Sequence, residues 1–413
     1  MKNCRINGDR LAPLFSLGDI YVSDFIPTDE PSFKFQKGEL NLCIGKTSGL
    51  VQLDKTIDFD SMYRKYWYAS GSNRSMQNEL KDIVDSICKL FDLKSENLNW
   101  LDIGCNDGTL LSFLKNNHNI IRYGCDPSDV ARNLGKNYCE YYCNNYFDDK
   151  AFVDTKFKVI TAIAMFYDIE DPNLFLQNIY NSLDDDGIFI IQMSYLPLMI
   201  DQLAFDNICH EHLCYYTLTV MNDLLSNNGF KIVDCILNDV NGGSFRIYIR
   251  KENCDDTKFA TSPYRYVANM RIDSLLEFEN NIDYTNSTIY DRFFKEINNL
   301  KKDVVEFIRN VNDTGKTVAA YGASTKGNTL LQYFGLGKDD IKYIADVQNK
   351  KHGLKTIGSE IPIVSEIFMR ENKPDYLLIL PWHFITEFKV REKDYLKSGG
   401  KFIIPCPQFE IIS

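Results

Sequence analysis

The sequence predicts an α/β fold with two parallel sheets covered by helices, preceded by a small N-terminal lobe. Three observations support this prediction. Apolar strand segments alternate with amphipathic helical segments in two separate parts of the chain. A glycine-containing turn follows the first strand of each part, at Gly104 and at Gly322. The length of 413 residues is too great for one ordinary core and predicts two or three domains.

The composition argues against several classes of partner. A net charge of −11 and a pI near 5.1 disfavour nucleic acid or an anionic membrane as the main partner. Residues 1–5 lack the apolar core of a signal peptide, and no uncharged apolar run approaches the length of a membrane span. The twelve scattered cysteines then indicate free thiols in a reducing compartment, so we predict a cytoplasmic protein.

Residues 1–252 divide into two segments with different patterns of turn signals and apolar residues. Turn signals and aromatic residues dominate residues 1–75, which predict a small irregular lobe. Residues 76–252 form the first predicted α/β domain, introduced by an amphipathic helix over 73–91. Its predicted strands are 98–103, 120–125, 158–164, 187–193, 230–235 and 244–250, and its other helices are 109–115, 172–183 and 218–227. No convincing helix separates the last two strands, which predicts an antiparallel hairpin at the sheet edge.

Residues 253–413 form the second predicted α/β domain. The polar stretch 253–286 predicts a helix and a linker, and apolar residues at helical spacing predict a long amphipathic helix over 290–311. The predicted strands are 316–321, 341–345, 376–380 and 401–404, with a helix after the turn that follows the first of them.

A ligand pocket is predicted where the first strand of the first α/β domain ends. The turn runs Gly104-Cys105-Asn106-Asp107-Gly108 and opens a helix. Glycines there let the backbone approach a ligand, and the helix start offers unpaired N–H groups. The spacing G-x-x-x-G differs from the dinucleotide fingerprint G-x-G-x-x-G. A strand, turn and helix start without any ligand is the alternative explanation.

A second acid makes the ligand prediction specific. Asp126, before Pro127, ends the next strand, where a carboxylate can accept both hydroxyls of a ribose. The segment Ala164-Met165-Phe166-Tyr167-Asp168 ends a later strand on the same side of the sheet. Together these segments predict an S-adenosylmethionine (SAM) pocket in a Rossmann-like class I methyltransferase domain. The predicted donor-binding residues are Asp102, Gly104, Asn106, Gly108, Asp126, Pro127 and Met165.

A histidine cluster follows the strand 187–193. Cys209-His210-Glu211-His212 contains two of only five histidines, on either side of a carboxylate. Metal ligation is possible, but the cluster lacks the i, i+4 spacing of the helical zinc motif. General acid–base work fits better, because histidine titrates near neutral pH and Glu211 could orient a neighbouring ring. A buried, hydrogen-bonded histidine pair is the remaining alternative.

Four segments together resemble the nucleotide-sugar C-methyltransferases, over nearly the whole chain and in the right order. These segments are Gly49-Leu50-Val51-Gln52-Leu53 with Tyr66-Trp67-Tyr68-Ala69-Ser70, Asp206-Asn207-Ile208-Cys209-His210-Glu211-His212, Asn241-Gly242-Gly243-Ser244-Phe245-Arg246, and Tyr321-Gly322-Ala323-Ser324-Thr325-Lys326-Gly327-Asn328-Thr329-Leu330. The resemblance implies an N-terminal zinc lobe, a central SAM domain and a C-terminal α/β domain that helps hold a sugar nucleotide. It implies methylation at C3 beside a C4 ketone, in surface-polysaccharide or deoxysugar biosynthesis.

The same resemblance assigns roles to individual residues. His212 would be the base that removes the proton next to the carbonyl, and Glu211 would orient it. Tyr68 would contact the donor or the substrate from the N-terminal lobe. His210 belongs to the same acid–base cluster, so the predicted catalytic residues are His212, Glu211, His210 and Tyr68.

The chain departs from the family pattern in three ways. Of the zinc ligands, which the family supplies as two C-x-x-C pairs, only Cys4 remains in register, and one thiolate cannot build a tetrahedral site. We therefore predict a lobe without metal, held by the packing of Leu42, Leu50, Val51 and Leu53. Cys209 replaces the tyrosine that opens the histidine motif. Ala164 and Asp168 replace an asparagine and a histidine, which rearranges the acid–base set.

The second glycine turn predicts an anion site. The amides of this turn, the hydroxyls of Ser324 and Thr325, and Lys326 could hold a diphosphate at a helix start. A purely structural β–α turn is the alternative. His383 could line the same cleft or lie at the surface, and Arg246 could face the pyrophosphate or pair with an acid. The predicted substrate-binding residues are Arg246, Gly322, Ser324, Thr325, Lys326 and Asn328.

Two other functions are kept as alternatives. The replacements at Cys209, Ala164 and Asp168 are compatible with methylation of an oxygen or nitrogen on a sugar or phosphorylated intermediate. A binding or scaffold protein that kept the folds without catalysis is disfavoured by Asp102, Asp126 and His212, which such a protein would not need. We expect a nucleotide-linked sugar as the partner molecule and neither nucleic acid nor membrane.

Overall fold

The computed structural model describes residues 3–57, 62, 67–90, 98–255 and 263–413. Tyr66, quoted above for the family resemblance, and Phe91, the last residue of the first predicted helix, lie outside the described residues. All twelve cysteines are free thiols, as the sequence predicted. No helix among the residues that the model describes is both long and apolar enough to cross a membrane.

The N-terminal lobe contains regular strands, so the prediction of an irregular segment is wrong. The strands are β1 (Leu11–Tyr21), β2 (Phe25–Pro27), β3 (Lys37–Gly45) and β4 (Val51–Leu53). β1 and β3 pair antiparallel, with breaks in register after Pro13 and after Ser16. Proline and glycine inside a strand usually mark bulges or edges, and in this sequence they resembled turn signals.

The first α/β domain alternates strands and helices as the sequence predicted, and it also contains two short α-helices and two short strands that the sequence did not predict. Its helices are α1 (Arg74–Leu90), α2 (Thr109–Ser112), α3 (Asp129–Asn133), α4 (Pro172–Ser182), α5 (Leu196–Asp201) and α6 (Leu218–Asn227). Its strands are β5 (Leu98–Ile103), β6 (Ile120–Cys125), β7 (Tyr141–Cys143), β8 (Phe157–Ile163), β9 (Leu183–Ser194), β10 (Cys214–Tyr215), β11 (Phe230–Asn238) and β12 (Ser244–Lys251).

Seven of these strands form one sheet in the order β11-β12-β9-β8-β5-β6-β7. The five strands from β9 to β7 are parallel, while β12 runs antiparallel to both of its neighbours. This confirms the predicted antiparallel hairpin at the edge. The sequence missed β7, which has only three residues and too little periodicity to recognise.

The second α/β domain begins with two helices and continues as a six-stranded sheet. The helices are α7 (Pro263–Ile282), α8 (Ser287–Asp313), α9 (Thr325–Phe334), α10 (Glu366–Asn372), α11 (Ile385–Arg391) and α12 (Lys393–Lys397). The strands are β13 (Val318–Tyr321), β14 (Ile344–Asp346), β15 (Leu354–Thr356), β16 (Ile363–Ser365), β17 (Tyr376–Ile379), β18 (Lys401–Ile404) and β19 (Glu410–Ile412). The sheet order is β16-β14-β13-β17-β18-β19, with only β19 antiparallel.

Strand pairing joins the N-terminal lobe to both α/β domains. β4 pairs with β10, a short strand that follows the histidine cluster, and β2 pairs with β15 of the second α/β domain. One apolar core also runs from Leu40 and Leu42 of the lobe into α8 and the second sheet. The domain boundaries that the sequence predicts at residues 75 and 252 therefore stay a prediction.

The positions of the absent zinc ligands lie together in the lobe. The Cys4 thiol is 3.1 Å from the Ser48 hydroxyl, and the Asn7 amide donates to Thr47 Oγ1 at 2.9 Å. A Cβ atom at Gly45 would lie 3.0 Å from Cys4 Sγ. A hydrogen bond thus joins two of the four positions, Cys4 and Ser48, and Leu42, Leu50, Val51 and Leu53 are buried as expected. The described part of the chain contains no group of three or more His, Cys, Asp or Glu residues suited to a metal.

Candidate active site

The turn after β5 is held by the acid that ends the neighbouring strand. Gly104, with φ of +72°, donates its amide to the Cys125 carbonyl at 2.8 Å. The carboxylate of Asp126 accepts from the amides of Asn106 at 2.9 Å and Ser128 at 2.7 Å. These bonds orient Asp126 at the mouth of the turn, where the sequence predicted a partner for ribose hydroxyls.

A second carboxyl group lies beneath this turn. Asp102 is the penultimate residue of β5 and accepts a hydrogen bond from the Thr161 hydroxyl at 2.7 Å. Burial raises the pKa of Asp102 to about 7, and the bond from Thr161 opposes part of that rise. A cationic group placed next to Asp102 would stabilise its ionised form.

The N-terminal lobe closes over the turn through Asn106. The side chain of Asn106 donates to the Tyr68 carbonyl at 3.0 Å and accepts from the Ser70 amide at 3.0 Å. Burial raises the pKa of the Tyr68 phenol, which keeps it protonated. The backbone of Tyr68 therefore contacts the turn, while the predicted contact of Tyr68 with the donor or the substrate stays a prediction.

One cavity of about 400 Å³ brings the three parts of the chain together. This volume is within the usual range for small-molecule sites. The predicted site residues that line it are Tyr68, Asp102, Gly104, Asn106, Asp126, Pro127, Met165, His212, Ser324, Thr325 and Lys326. Gly108, His210, Glu211, Arg246, Gly322 and Asn328 do not line it.

The residues present fit SAM. A carboxylate suited to the ribose and a second carboxyl suited to a cationic group line one cavity together with the glycine turn. At Gly104 a Cβ atom would lie 3.2 Å from Met165 Cγ, so the missing side chain leaves room beside the backbone. Gly108 does not line the cavity but begins α2 with φ of +79°, a conformation in which glycine is favoured.

His212 faces the cavity with one defined nitrogen. Its Nδ1 atom is 2.9 Å from the Asn207 carbonyl, so Nδ1 carries the hydrogen and Nε2 is left as an acceptor. Among the described residues, Nε2 accepts no hydrogen bond. Burial lowers the pKa of His212 to about 3, and the positive charge of Lys326 contributes. A neutral imidazole with a free lone pair has the form that a general base requires.

Two predicted members of the histidine cluster lie elsewhere. His210 packs against the N-terminal lobe, where its Nε2 atom is 3.0 Å from the Gly38 carbonyl, so its prediction as an acid–base residue is wrong. Glu211 is buried outside the cavity, and burial raises its pKa. The orienting role predicted for Glu211 is filled by the carbonyl of Asn207. Adjacent residues of an irregular turn point in different directions, and the sequence does not reveal which one faces the pocket.

Lys326 occupies a different position from the one that the sequence predicted. Its ammonium donates to Asn207 Oδ1 at 2.6 Å and to the Asn241 carbonyl at 3.4 Å. Burial lowers the pKa of Lys326, while Asp206 opposes that change. The side chain begins on α9 of the second α/β domain and ends among residues of the first. The ammonium is thus held by Asn207, which also contacts His212, and the diphosphate role predicted for it stays a prediction.

The rest of the second turn keeps a helix start. The Ser324 hydroxyl caps α9 by accepting from the Gly327 amide at 2.9 Å, and Thr325 follows at the first helical position. Gly322 lines a smaller neighbouring cavity of about 130 Å³. Asn328 is buried, and its amide donates to the Asp24 carbonyl at 3.4 Å, which directs it toward the N-terminal lobe.

Arg246 is an internal structural residue, so its prediction as a substrate ligand is wrong. Its guanidinium donates to Glu79 on α1 and to Gln192 Oε1 at 2.8 Å. A further ion pair joins it to Asp82 at 3.0 Å. A buried guanidinium needs such partners, and α1 supplies them from outside the cavity. The alternative stated above, in which Arg246 pairs with acids, is confirmed.

Two site residues were missed by sequence reasoning. Asn207 holds both His212 and Lys326, and Asp206 accepts from the Trp382 indole at 3.1 Å behind them. Both belong to a segment quoted for the family resemblance, so the sequence indicated that this segment matters. It did not show which residues the two side chains contact. His383 also lines the cavity, which decides between the two positions considered for it.

Family models and a nearly full-length relative match this chain. Residues 72–234 match the family model described as a methyltransferase domain, and residues 239–407 match the C-methyltransferase C-terminal domain. The C-methyltransferase NovU of Streptomyces niveus is 27% identical over 379 residues, which are 91% of this chain and 87% of that protein. The sphingolipid C9-methyltransferase of Komagataella phaffii is 29% identical over 35% of this chain and 34% of its own length.

A solved structure was also compared. The magnesium protoporphyrin IX methyltransferase of Synechocystis PCC 6803, with bound S-adenosylhomocysteine, is 15% identical at a TM-score of 0.35, over 43% of this chain and 88% of that one. The fold, the cavity and the sequence matches together define a SAM-dependent methyltransferase with a class I Rossmann-like domain. Within that class, the match of residues 239–407 to the C-methyltransferase C-terminal domain and the nearly full-length relative support a C-methyltransferase.

Proposed function

We propose that the protein methylates a ring carbon, C3, of a nucleotide-linked 4-keto deoxysugar. The observation that carries this proposal is the position of His212, whose Nε2 atom faces the cavity shared by the donor turn and the Ser324–Thr325 helix start. A C–H bond next to a carbonyl is acidic enough for a neutral imidazole to break with suitable stabilisation of the product. His212 would accept this proton on Nε2.

SAM, when bound, supplies the electrophilic methyl group. Asp126 would accept hydrogen bonds from its ribose, and Asp102 would face its cationic end. The carbonyl of Asn207 keeps the lone pair of His212 on Nε2, and the buried surroundings keep the ring neutral over the working pH range. Tyr68 and Asn106 would exclude water by closing the N-terminal lobe over the turn.

The start of α9 would receive the diphosphate of the sugar nucleotide. The ten-residue α9 begins at Thr325, where the first amides of a helix have no carbonyl partner within the helix, and this N-terminus opens on the cavity that His212 lines. An anionic group is compatible with the net charge of −11 because the attraction is local. The base of the nucleotide and the configuration of the sugar are left open.

The proposal is tested with a panel of 4-keto nucleotide sugars and SAM labelled in the methyl group. We expect label in the sugar, with a methyl carbon shift in NMR typical of a C–C bond. His212→Ala should abolish turnover while calorimetry shows that SAM still binds. Turnover that survives this replacement would rule out His212 as the base.

A second candidate is methylation of an oxygen or nitrogen of a sugar or phosphorylated intermediate. Asp168 lines the cavity at a position where the resembling family has a histidine, and a carboxylate could take a proton from a hydroxyl. A C–O or C–N methyl shift in the product would favour this candidate.

We also propose that the N-terminal lobe folds without zinc. Metal analysis of the purified protein by mass spectrometry tests this proposal.

A further inference from the structure

We infer that Lys326 is the cation that stabilises the negative charge on the substrate carbonyl oxygen when His212 removes the neighbouring proton. The inference rests on the proposed function, because it requires an enolate. It changes the predicted role of Lys326 from binding a diphosphate to taking part in the proton-removal step.

One residue positions both groups. The backbone carbonyl of Asn207 is 2.9 Å from His212 Nδ1, and the side-chain oxygen of Asn207 is 2.6 Å from Lys326 Nζ. Asn207 is itself fixed, since its Oδ1 accepts from Ser194 at 3.1 Å and its Nδ2 donates to the Ala204 carbonyl at 3.0 Å. A base and a cation held by the same residue are suited to act on adjacent atoms of one substrate.

The ammonium of Lys326 has one donor left for a ligand. Of its three N–H groups, two are directed to Asn207 Oδ1 and the Asn241 carbonyl. Among the residues that the structure describes, no acceptor takes the third. Lys326 lines the cavity, so a substrate oxygen there would be within reach of this donor.

Burial and Asp206 have opposite effects on the protonation of Lys326. Burial lowers the pKa of Lys326 and is the larger effect, while an ionised Asp206 raises that pKa in part. Asp206 is itself buried, burial raises its pKa, and its Oδ1 atom has no hydrogen-bond partner among the described residues. The Trp382 indole holds the other oxygen of Asp206 at 3.1 Å and keeps the carboxylate in place. A buried, pre-oriented cation contributes more to catalysis than one in water.

Proton removal and methyl transfer take place in turn at the same carbon. The C–H bond next to the carbonyl breaks and its proton goes to Nε2 of His212. The electron pair forms a carbon–carbon double bond while the carbonyl π pair moves to oxygen, where Lys326 donates a hydrogen bond. Bound SAM would supply the methyl group to this carbon, and the electron pair of the carbon–sulfur bond would stay on sulfur.

The test separates proton removal from binding. Wild-type protein and Lys326→Met are incubated in deuterium oxide with a 4-keto nucleotide sugar and S-adenosylhomocysteine, and hydrogen exchange next to the carbonyl is followed by NMR. We expect exchange at saturating sugar to fall about 100-fold, the usual cost of losing one donor to a developing oxyanion. Affinity for the matching nucleoside diphosphate, measured by calorimetry, should stay within about threefold, because the diphosphate would be held by the start of α9.

Control variants keep the outcome clear. Lys351→Met removes another buried lysine of the same domain, one whose Nζ donates to the Ala323 carbonyl at 2.7 Å outside the cavity. This variant should exchange like the wild type. Lys326→Arg retains the charge and should recover part of the rate that Lys326→Met loses. SAM binding by each variant confirms that it is folded.

Each remaining outcome overturns a specific statement. Unchanged exchange in Lys326→Met, with nucleoside diphosphate bound more than tenfold more weakly, would return Lys326 to the diphosphate site and reject the inference alone. If the wild type exchanges no proton with any member of the sugar panel, the proposed function fails, and the inference fails with it.

Discussion

The two glycine turns of the molecule have nearly the same internal hydrogen bonds. After β5, Gly104 donates to Cys125, and Asp126 receives two amides. After β13, Gly322 donates to the Ala345 carbonyl at 2.8 Å, and Asp346 accepts from the amides of Ala323 at 2.8 Å and Gln348 at 2.7 Å. Each turn is thus closed by the acid at the end of the next parallel strand.

The turns differ in what covers them. In the second turn, Asp346 lies 3.7 Å from the ammonium of Lys351. In the first turn, Asp126 has no ion pair among the described residues. A Cβ atom at Gly322 would lie 2.5 Å from Cγ of the Pro381 ring, whereas a Cβ atom at Gly104 would lie 3.2 Å from Cγ of the flexible Met165 side chain. Among the described residues, the carboxylate of the first turn accepts two amides without an ion pair, and the carboxylate of the second turn also has Lys351 nearby.

The comparison shows that a shared backbone pattern does not determine what a turn does. The second turn contributes to the site through its helix, because α9 presents Ser324, Thr325 and Lys326 to the cavity of the first domain. The packing around each turn therefore determines what that turn contributes to the site. The following replacements test this difference, beginning with the largest expected effect.

The tightest contact is expected to give the largest loss of stability. Gly322→Ala places a methyl group against the ring of Pro381 at a φ of +83°, so we expect a loss of about 3 kcal/mol from overpacking and backbone strain. Gly104→Ala meets only the flexible Met165 and should lose about 1 kcal/mol from its positive φ. Urea unfolding of both variants measures the free energies, and equal losses would contradict the proposed difference in packing.

The two acids should differ in their effect on the donor. Asp126→Ala removes charge-assisted hydrogen bonds to the ribose and should weaken SAM binding about 100-fold. Asp346→Ala removes an equivalent acceptor of backbone amides but should leave SAM affinity within about threefold. Calorimetry measures both. A similar loss in the two variants would mean that Asp126 acts only through the stability of its turn.

The donor cavity should also make stability depend on pH through His212. The folded pKa is about 3, below that of the unfolded chain, so the unfolded state binds a proton first as the pH falls. Stability should therefore decrease by about 1.4 kcal/mol per pH unit between pH 6 and pH 4. His212→Gln should remove this part of the dependence in urea unfolding at several pH values. An unchanged slope would show that the ring is not buried in its neutral form.

The helix caps next to the turns should have the smallest effect. Ser324 caps the ten-residue α9 and Ser128 caps the five-residue α3, by accepting from the amides of Gly327 at 2.9 Å and Ala131 at 3.2 Å. We expect Ser324→Ala to lose about 1 kcal/mol and Ser128→Ala less, because a longer packed helix depends more on its first turn. Thermal unfolding compares them, and a larger loss at Ser128 would contradict this ranking.

Local features of the sequence predicted much of the fold. Strands β5, β6 and β18 have the predicted bounds, as does α6, because periodicity and breaking residues are properties of a short segment. The amphipathic helix predicted over 290–311 is α8, with its apolar positions buried. The N-terminal strands were not recognised because bulges at Pro13 and Ser16 obscure their alternation.

The sequence by itself predicted both strand–turn units, the acid Asp126 of the first, the class of methyl donor and, through the family resemblance, His212 as the base. Each depends on residues close together in the chain or on one recognisable motif. Only the tertiary structure decided which side chains share the cavity: it placed Lys326 on Asn207, turned His210 and Glu211 away, and paired Arg246 with α1. These outcomes depend on contacts between residues more than a hundred positions apart, and the packing of whole elements selects the partner.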